Sequence, residues 1–264
     1  MPDMVLPGPV EEASCPANSV NIHTNKIYSA CRDKDCVEDL RVYPTVSSQA
    51  LISSALSVRP SSATLLSAEV NVDAISFNRG YYTVDVTYFY RVTGTVFPGG
   101  CEVSGLAVFD KRVILFGSEG SVKVFSSDSK CVDVSTQYDD PVAYVSAVDP
   151  IALSMKLLDC SGRSCPDDTV PHIPACIIEA IGEELVMNDC GRRLYVTLGQ
   201  FSVIRLERPA LLTLRDAAGF FPEAQCAGSS EDDPCALFSR VDFPVEEFLP
   251  PDRLRERNDY KDLV

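Results

Sequence analysis

Two cysteines five residues apart bracket a run of alternating charge. The stretch Tyr28–Tyr43 reads YSACRDKDCVEDLRVY, with Cys31 and Cys36 on either side of Arg32-Asp33-Lys34-Asp35. Thiols so placed serve a metal site, a redox or nucleophilic centre, or a cross-link. On a helix, residues five apart lie about 140° apart around the axis and share no face. On a strand, an odd separation puts them on opposite faces. They meet only if the chain turns between them, and the charged, polar run permits a turn.

The other chemistry-bearing residues offer less. The two histidines are His23, in a proline-rich start, and His172, between Pro171 and Ile173. Neither lies in a Ser-His-Asp or Cys-His pattern, and no G-x-S-x-G elbow occurs. The stretch GSEGS (Gly117–Ser121) reads as a hairpin turn. No P-loop or dinucleotide fingerprint is present. Asp33, Asp35 and Asp39 resemble the opening of a calcium loop, but Glu38 stands where that loop needs Gly. A zinc site built from Cys160, Cys165, Cys176 and Cys190 remains open, since Cys160 and Cys165 have C-x4-C spacing where shorter knuckles are usual. No C-x-x-C redox pair exists, and CGRR (Cys190–Arg193) lacks the surroundings of a cysteine phosphatase. The paired acids Glu11-Glu12, Asp139-Asp140 and Glu183-Glu184 read as solvated charge. The chain therefore reads as no enzyme, with no catalytic residue, no cofactor and no assigned metal.

Cross-linking is what remains. Eleven cysteines are many for a chain whose start, MPDMVLPGPVEEASC, has neither a basic nor an apolar leader region. The odd count leaves at least one thiol free or paired with another chain. The candidates are Cys15, Cys31, Cys36, Cys131, Cys160, Cys165, Cys226 and Cys235, mostly in arms, turns or polar connections.

The elements that must hold these residues are mainly strands. The chain has 264 residues with 45% hydrophobic content, enough for a substantial core. Its 38 acidic against 23 basic residues give a net charge of −15, which excludes nucleic acid and anionic membranes as natural partners. No apolar run approaches the length of a membrane span. From Ala63 the sequence alternates, and YYTVDVTYFYRVTGTVF (Tyr81–Phe97) is dense in β-branched and aromatic residues. Asn78-Arg79-Gly80 and Pro98-Gly99-Gly100 punctuate it as turns. Cys101–Phe116, with a possible break at Asp110-Lys111, and Arg192–Leu206 read as further strands. The expected fold is mainly β: antiparallel sandwich-like subdomains with extended N- and C-terminal arms. Its divisions are an arm over 1–25, a cysteine-bearing motif and linker over 26–61, a β subdomain over 62–127, a second over 128–221, and an acidic arm over 222–264; within the motif, residues 26–43 read as a short helical turn or a loop with a following strand.

One resemblance bears on function. The segments NKIYSACRDKDCVEDLRVY (Asn25–Tyr43) and EVNVDAISFNRGYYTVDVTYFYRV (Glu69–Val92) resemble uncharacterised proteins of spore-forming clostridia. The second is also similar to the β-rich repeat domain of spore-coat morphogenetic proteins. The resemblance implies a cysteine-rich subunit that assembles with itself, and with other spore-surface proteins, into a disulfide-stabilised exosporium-like layer or filament. It would be made in a cytoplasm without a signal and oxidised after lysis of the mother cell. The alternative is a cytosolic β-rich module that keeps its cysteines reduced and binds a metal or ligand.

Overall fold

A computed structural model describes residues 20–119, 140–160, 170–187, 191–214, 238 and 241–248. The protein is mainly β and antiparallel. In chain order its elements are β1 (Val20–Pro44), α1 (Val46–Ser54), β2 (Ser57–Ala74), β3 (Tyr81–Phe97), β4 (Glu102–Phe116), β5 (Val142–Ala147), β6 (Ile151–Asp159), α2 (Ala175–Ile181), β7 (Arg192–Leu214) and α3 (Val245–Phe248).

All seven strands belong to one sheet of order β2-β3-β4-β1-β7-β5, with β6 also paired to β7. The sheet curls into a nearly closed barrel, bringing β2 at one end opposite β5 and β6 at the other. The mainly β, antiparallel fold expected from the sequence is present, and its strands form one curled sheet. Strands on both sides of the expected 127/128 boundary share a single sheet because β1, from the segment expected to turn, lies between β4 and β7.

Strand β1 carries the strand expected at the end of residues 26–43 through the whole motif: where a helical turn or loop was the expected start, all of Val20–Pro44 is strand. Its start takes in the end of the expected N-terminal arm, pairing Val20 with Leu214 and Asn25 with Pro209. The polar composition misleads because only one face enters the barrel. Cys31, Asp33 and Asp35 are buried, while the residues between them are partly exposed. Two register shifts, at Ile27/Ser29 and Val37/Leu40, let this 25-residue strand follow the curvature.

The barrel interior is filled by the alternating face of each strand. From β3 come Val84, Val86, Tyr88, Tyr90 and Val92; from β7 come Leu194, Val196, Leu198, Ile204 and Leu206; all are essentially buried. Strand β4 runs unbroken through Asp110-Lys111, pairing Asp110 with Thr87 and Lys111 with Val86. The outer face of β3 and β4 carries a smaller apolar cluster, Phe89 and Leu106, covered by Ile177 of α2. Helix α1 occupies the segment left open as linker, helix or strand. Thr45 caps it by accepting from the Ser48 amide at 3.3 Å, and Ile52 anchors it in the core.

Close approach explains two glycines. A Cβ on Gly105 would meet the Tyr43 carbonyl oxygen at 2.6 Å, where β1 joins β4. One on Gly199 would strike the Phe238 ring at 2.7 Å.

Candidate functional site

The cysteines occupy three kinds of place. Cys31 faces the barrel interior and Cys36 the other side of β1, opposite Ile204 and Gly199 respectively. No register shift intervenes between them. Five residues of extended strand span about 16 Å, far beyond the roughly 4.4–6.8 Å between Cα atoms that a disulfide allows. The two therefore do not bridge each other within the chain. Cys31, Cys36 and Cys160 are each disulfide-bonded. Cys101 and Cys176 are free and exposed. Cys101 ends the Pro98–Gly100 turn between β3 and β4, and Cys176 lies in the first turn of α2.

Cys101 and Cys176 were absent from the cross-link candidates read from the sequence. The Pro-Gly-Gly signal before Cys101 was sufficient to place it at a turn tip. Nothing in the ambiguous Ala175–Met187 segment foretold the exposure of Cys176. Cys15, Cys131, Cys165, Cys226 and Cys235 lie outside the described residues. Of the four-thiolate zinc set, Cys160 is a half-cystine and so no thiolate ligand, while Cys165 and Cys190 are not among the described residues. Among the described residues no three metal-ligating side chains cluster.

Nor do the aspartates make a calcium loop. Asp39 is exposed at the bulge, with a positive φ of 51°, and its carboxylate meets Lys156 Nζ at 2.5 Å. Asp33 and Asp35 turn inward, where both meet the Lys111 ammonium of β4, Asp35 at 2.5 Å. Pairing between β1 and β4 is confined to Val42–Pro44 against Gly105–Ala107. The ion cluster thus links the two strands where they have diverged from that junction.

Three buried charges share this space with four polar side chains, Tyr88, Tyr90, Gln200 and Ser202. Burial pushes the Asp35 carboxyl up to about 7 and Lys111 down to about 8. Both carboxylates meet the one ammonium, and burial makes Asp35 a carboxyl that takes up a proton near neutral pH. Nearby, burial lifts Tyr88 to about 12, with Ser202 opposing the rise and Asp35 adding to it. Tyr90 is raised by burial and then by Tyr88 and Asp35. The rings of Tyr88 and Tyr90 stack with centroids 6.0 Å apart, and Tyr88 stacks on Phe109 at 6.1 Å. Tyr88 Oη, Tyr90 Oη, Ser202 Oγ and Gln200 Oε1 are buried and complete no hydrogen bond of good geometry. Gln200 is held through its amide, which donates to the carbonyls of Val148 at 3.0 Å and Phe201 at 2.7 Å.

Elsewhere in the barrel, Arg208 ties β7 to the end of β4. It donates to the Gly117 carbonyl at 2.5 Å, the Ser118 carbonyl at 2.9 Å and Tyr82 Oη at 2.7 Å. On the outer face of β7, Phe201 packs against Phe238 and Phe243 at 4.7 and 5.3 Å, and Phe243 meets Phe248 at 5.1 Å. Lys34 holds this aromatic strap by donating to the Val241 carbonyl at 2.7 Å and lying over the Phe238 ring. His23 and His172 are exposed on separate elements, β1 and the approach to α2.

The fold and site define an antiparallel barrel with a charged, hydroxyl-bearing interior and exposed free thiols. No known protein family, curated protein or solved structure matches the chain. Among the described residues no helix is long and apolar enough to cross a membrane.

Proposed function

We propose that this protein is a non-catalytic structural subunit that assembles with copies of itself and is locked by disulfides. The assembly would be a spore-surface layer or an extracellular filament, reached after lysis of the producing cell and shared with other surface proteins. One observation carries the reading: the free thiols Cys101 and Cys176 are both exposed, one at a hairpin tip and the other on an outer helix. Two reachable sulfurs on separate elements let one subunit link to two neighbours. A repeated heterologous contact of that kind continues as a lattice or filament, or closes as a ring. The half-cystines at Cys31, Cys36 and Cys160 suit an oxidising destination and weigh against the reduced, metal-loaded alternative.

The strand edges also favour sulfur over strand addition as the link. Strand β2 carries Pro60 and shifts register at Pro60/Ser62 and Leu65/Ser67, both devices that discourage edge pairing. The test is the double variant Cys101→Ser/Cys176→Ser, compared with wild type on non-reducing gels and by size-exclusion chromatography after air oxidation. Wild type should form reductant-sensitive oligomers that the variant lacks. Equal oligomers from both proteins would refute the role given to these thiols.

A further inference from the structure

We propose that the barrel seam is a binding site for a small neutral molecule with an apolar body and one hydrogen-bonding head. The inference does not depend on the cross-linking role. Strands β2 and β5 face each other across the seam without a shared ladder. Between them lies a cleft of about 530 Å³, within the size range of small-molecule sites. Its walls are Leu65–Ala68 of β2 and Val145–Val148 on the β5 side, with Phe248 at the mouth and Tyr88 at the floor.

The lining suits both parts of such a ligand. Leu65, Val145 and Phe248 supply apolar walls. The small residues Ala68 and Ala147 stand beside the polar floor, since Ala68 pairs with Tyr88 and Ala147 with Ser202. Tyr88 is wholly buried, and its hydroxyl completes no hydrogen bond of good geometry, although the Ser202 hydroxyl lies near enough to act on it. Native interiors rarely leave a hydroxyl unsatisfied, and such groups are most often explained by function. Ser202 is not on the cleft's lining, so the Tyr88 hydroxyl is the group offered, able to donate or accept, to a hydroxyl, amine or carbonyl head. The charge behind the floor excludes an anion, because Asp33 and Asp35 share the one ammonium of Lys111. A register shift at Leu65/Ser67 shapes the mouth, and Asp149 accepts the Leu65 amide at 2.8 Å, which fixes its lower lip.

The test uses two fluorescent probes sharing one body: N-phenyl-1-naphthylamine, which is neutral, and its 8-sulfonate, an anion. The chain has no Trp, so the probes' emission is read without indole background. The full-length protein should bind the neutral probe saturably, at one per chain and at least about tenfold more tightly than the sulfonate. Ala147→Phe, which fills the cleft, should weaken the neutral probe by about tenfold or more. Ser67→Phe at the exposed rim gives the same test without touching the core. Tyr88→Phe should weaken the probe about threefold to tenfold, the loss expected for one hydrogen bond. Ile114→Ser, on the exposed face of β4, should leave binding unchanged. No saturable binding, tighter binding of the sulfonate, or undiminished binding in both cleft-filling variants would overturn the assignment.

Discussion

Replacing Lys111 by Met removes the one cation that, among the described residues, contacts two buried carboxylates, while keeping most of the side-chain volume. Lys111, Asp33 and Asp35 have side chains only 9%, 6% and 11% exposed. Asp33 and Asp35 stand two apart on one face of β1, so neither can turn away to water without breaking the strand. Breaking a buried pair by deleting one partner costs about 3–5 kcal/mol, because the remaining charge is left uncompensated. That range is the expected loss for Lys111→Met at pH 7, where Lys111, held down to about 8 by burial, still carries its charge. The loss must depend on pH, and its sign is fixed. Burial already lifts Asp35 to about 7 from an ordinary 3.8, so the folded protein holds a proton that the unfolded chain releases between those values. A carboxyl raised in this way contributes its stability fully below about pH 4 and loses it as pH rises through about 7. Removing the ammonium raises Asp35 further. The gap between variant and wild type should therefore widen with pH by up to about 1.4 kcal/mol per unit. Tyr88 and Tyr90, the other titratable groups facing Asp35, stay neutral throughout because burial raises both phenols. Urea unfolding followed by tyrosine near-UV circular dichroism, at pH 5, 6, 7 and 8, measures this directly. A loss under about 1 kcal/mol at pH 7, or one independent of pH, would refute a buried, strand-linking ion cluster. The triple variant Asp33→Asn/Asp35→Asn/Lys111→Met should recover much of the loss, since it leaves no buried charge.

Other expectations follow from single contacts. Asp35→Asn should flatten the wild-type decline in stability between pH 4 and 7, which urea midpoints across that interval would show. Gly199→Ala should cost about 1–3 kcal/mol and displace Phe238, so that limited proteolysis cuts the C-terminal segment sooner than in wild type. Tyr88→Phe should leave stability unchanged or raise it by up to about 1 kcal/mol in urea unfolding, because it deletes a hydroxyl that completes no hydrogen bond of good geometry.

Much of the barrel wall was legible in the sequence. The Tyr81–Phe97 strand and the turns around it show themselves by dense β-branched and aromatic residues ending at Gly80 and at Pro98-Gly99-Gly100, and the structure has that strand with those bounds. Strand β1 was not legible because its buried face carries Asp33 and Asp35. A period-2 reading sees charge on both faces and reports a turn, whereas Lys111, 76 residues from Asp35, makes one of those faces internal. The same long-range pairing hides the barrel. Alternation predicts strands with one buried face, but it does not tell two packed sheets from one sheet curled on itself. The polar interior was equally hidden, since Tyr88 and Tyr90 look like ordinary strand aromatics until Ser202 and Gln200 arrive from β7. Cys31 and Cys36 drew attention for their spacing. Only the strand shows that the spacing keeps them apart.

Assembly of copies of this chain, locked through sulfur, can be seen by negative-stain electron microscopy of the oxidised, purified protein with and without reductant. Ordered filaments, sheets or rings that weaken in reductant are the expected result. A single-sized, unassembled particle under both conditions would contradict it.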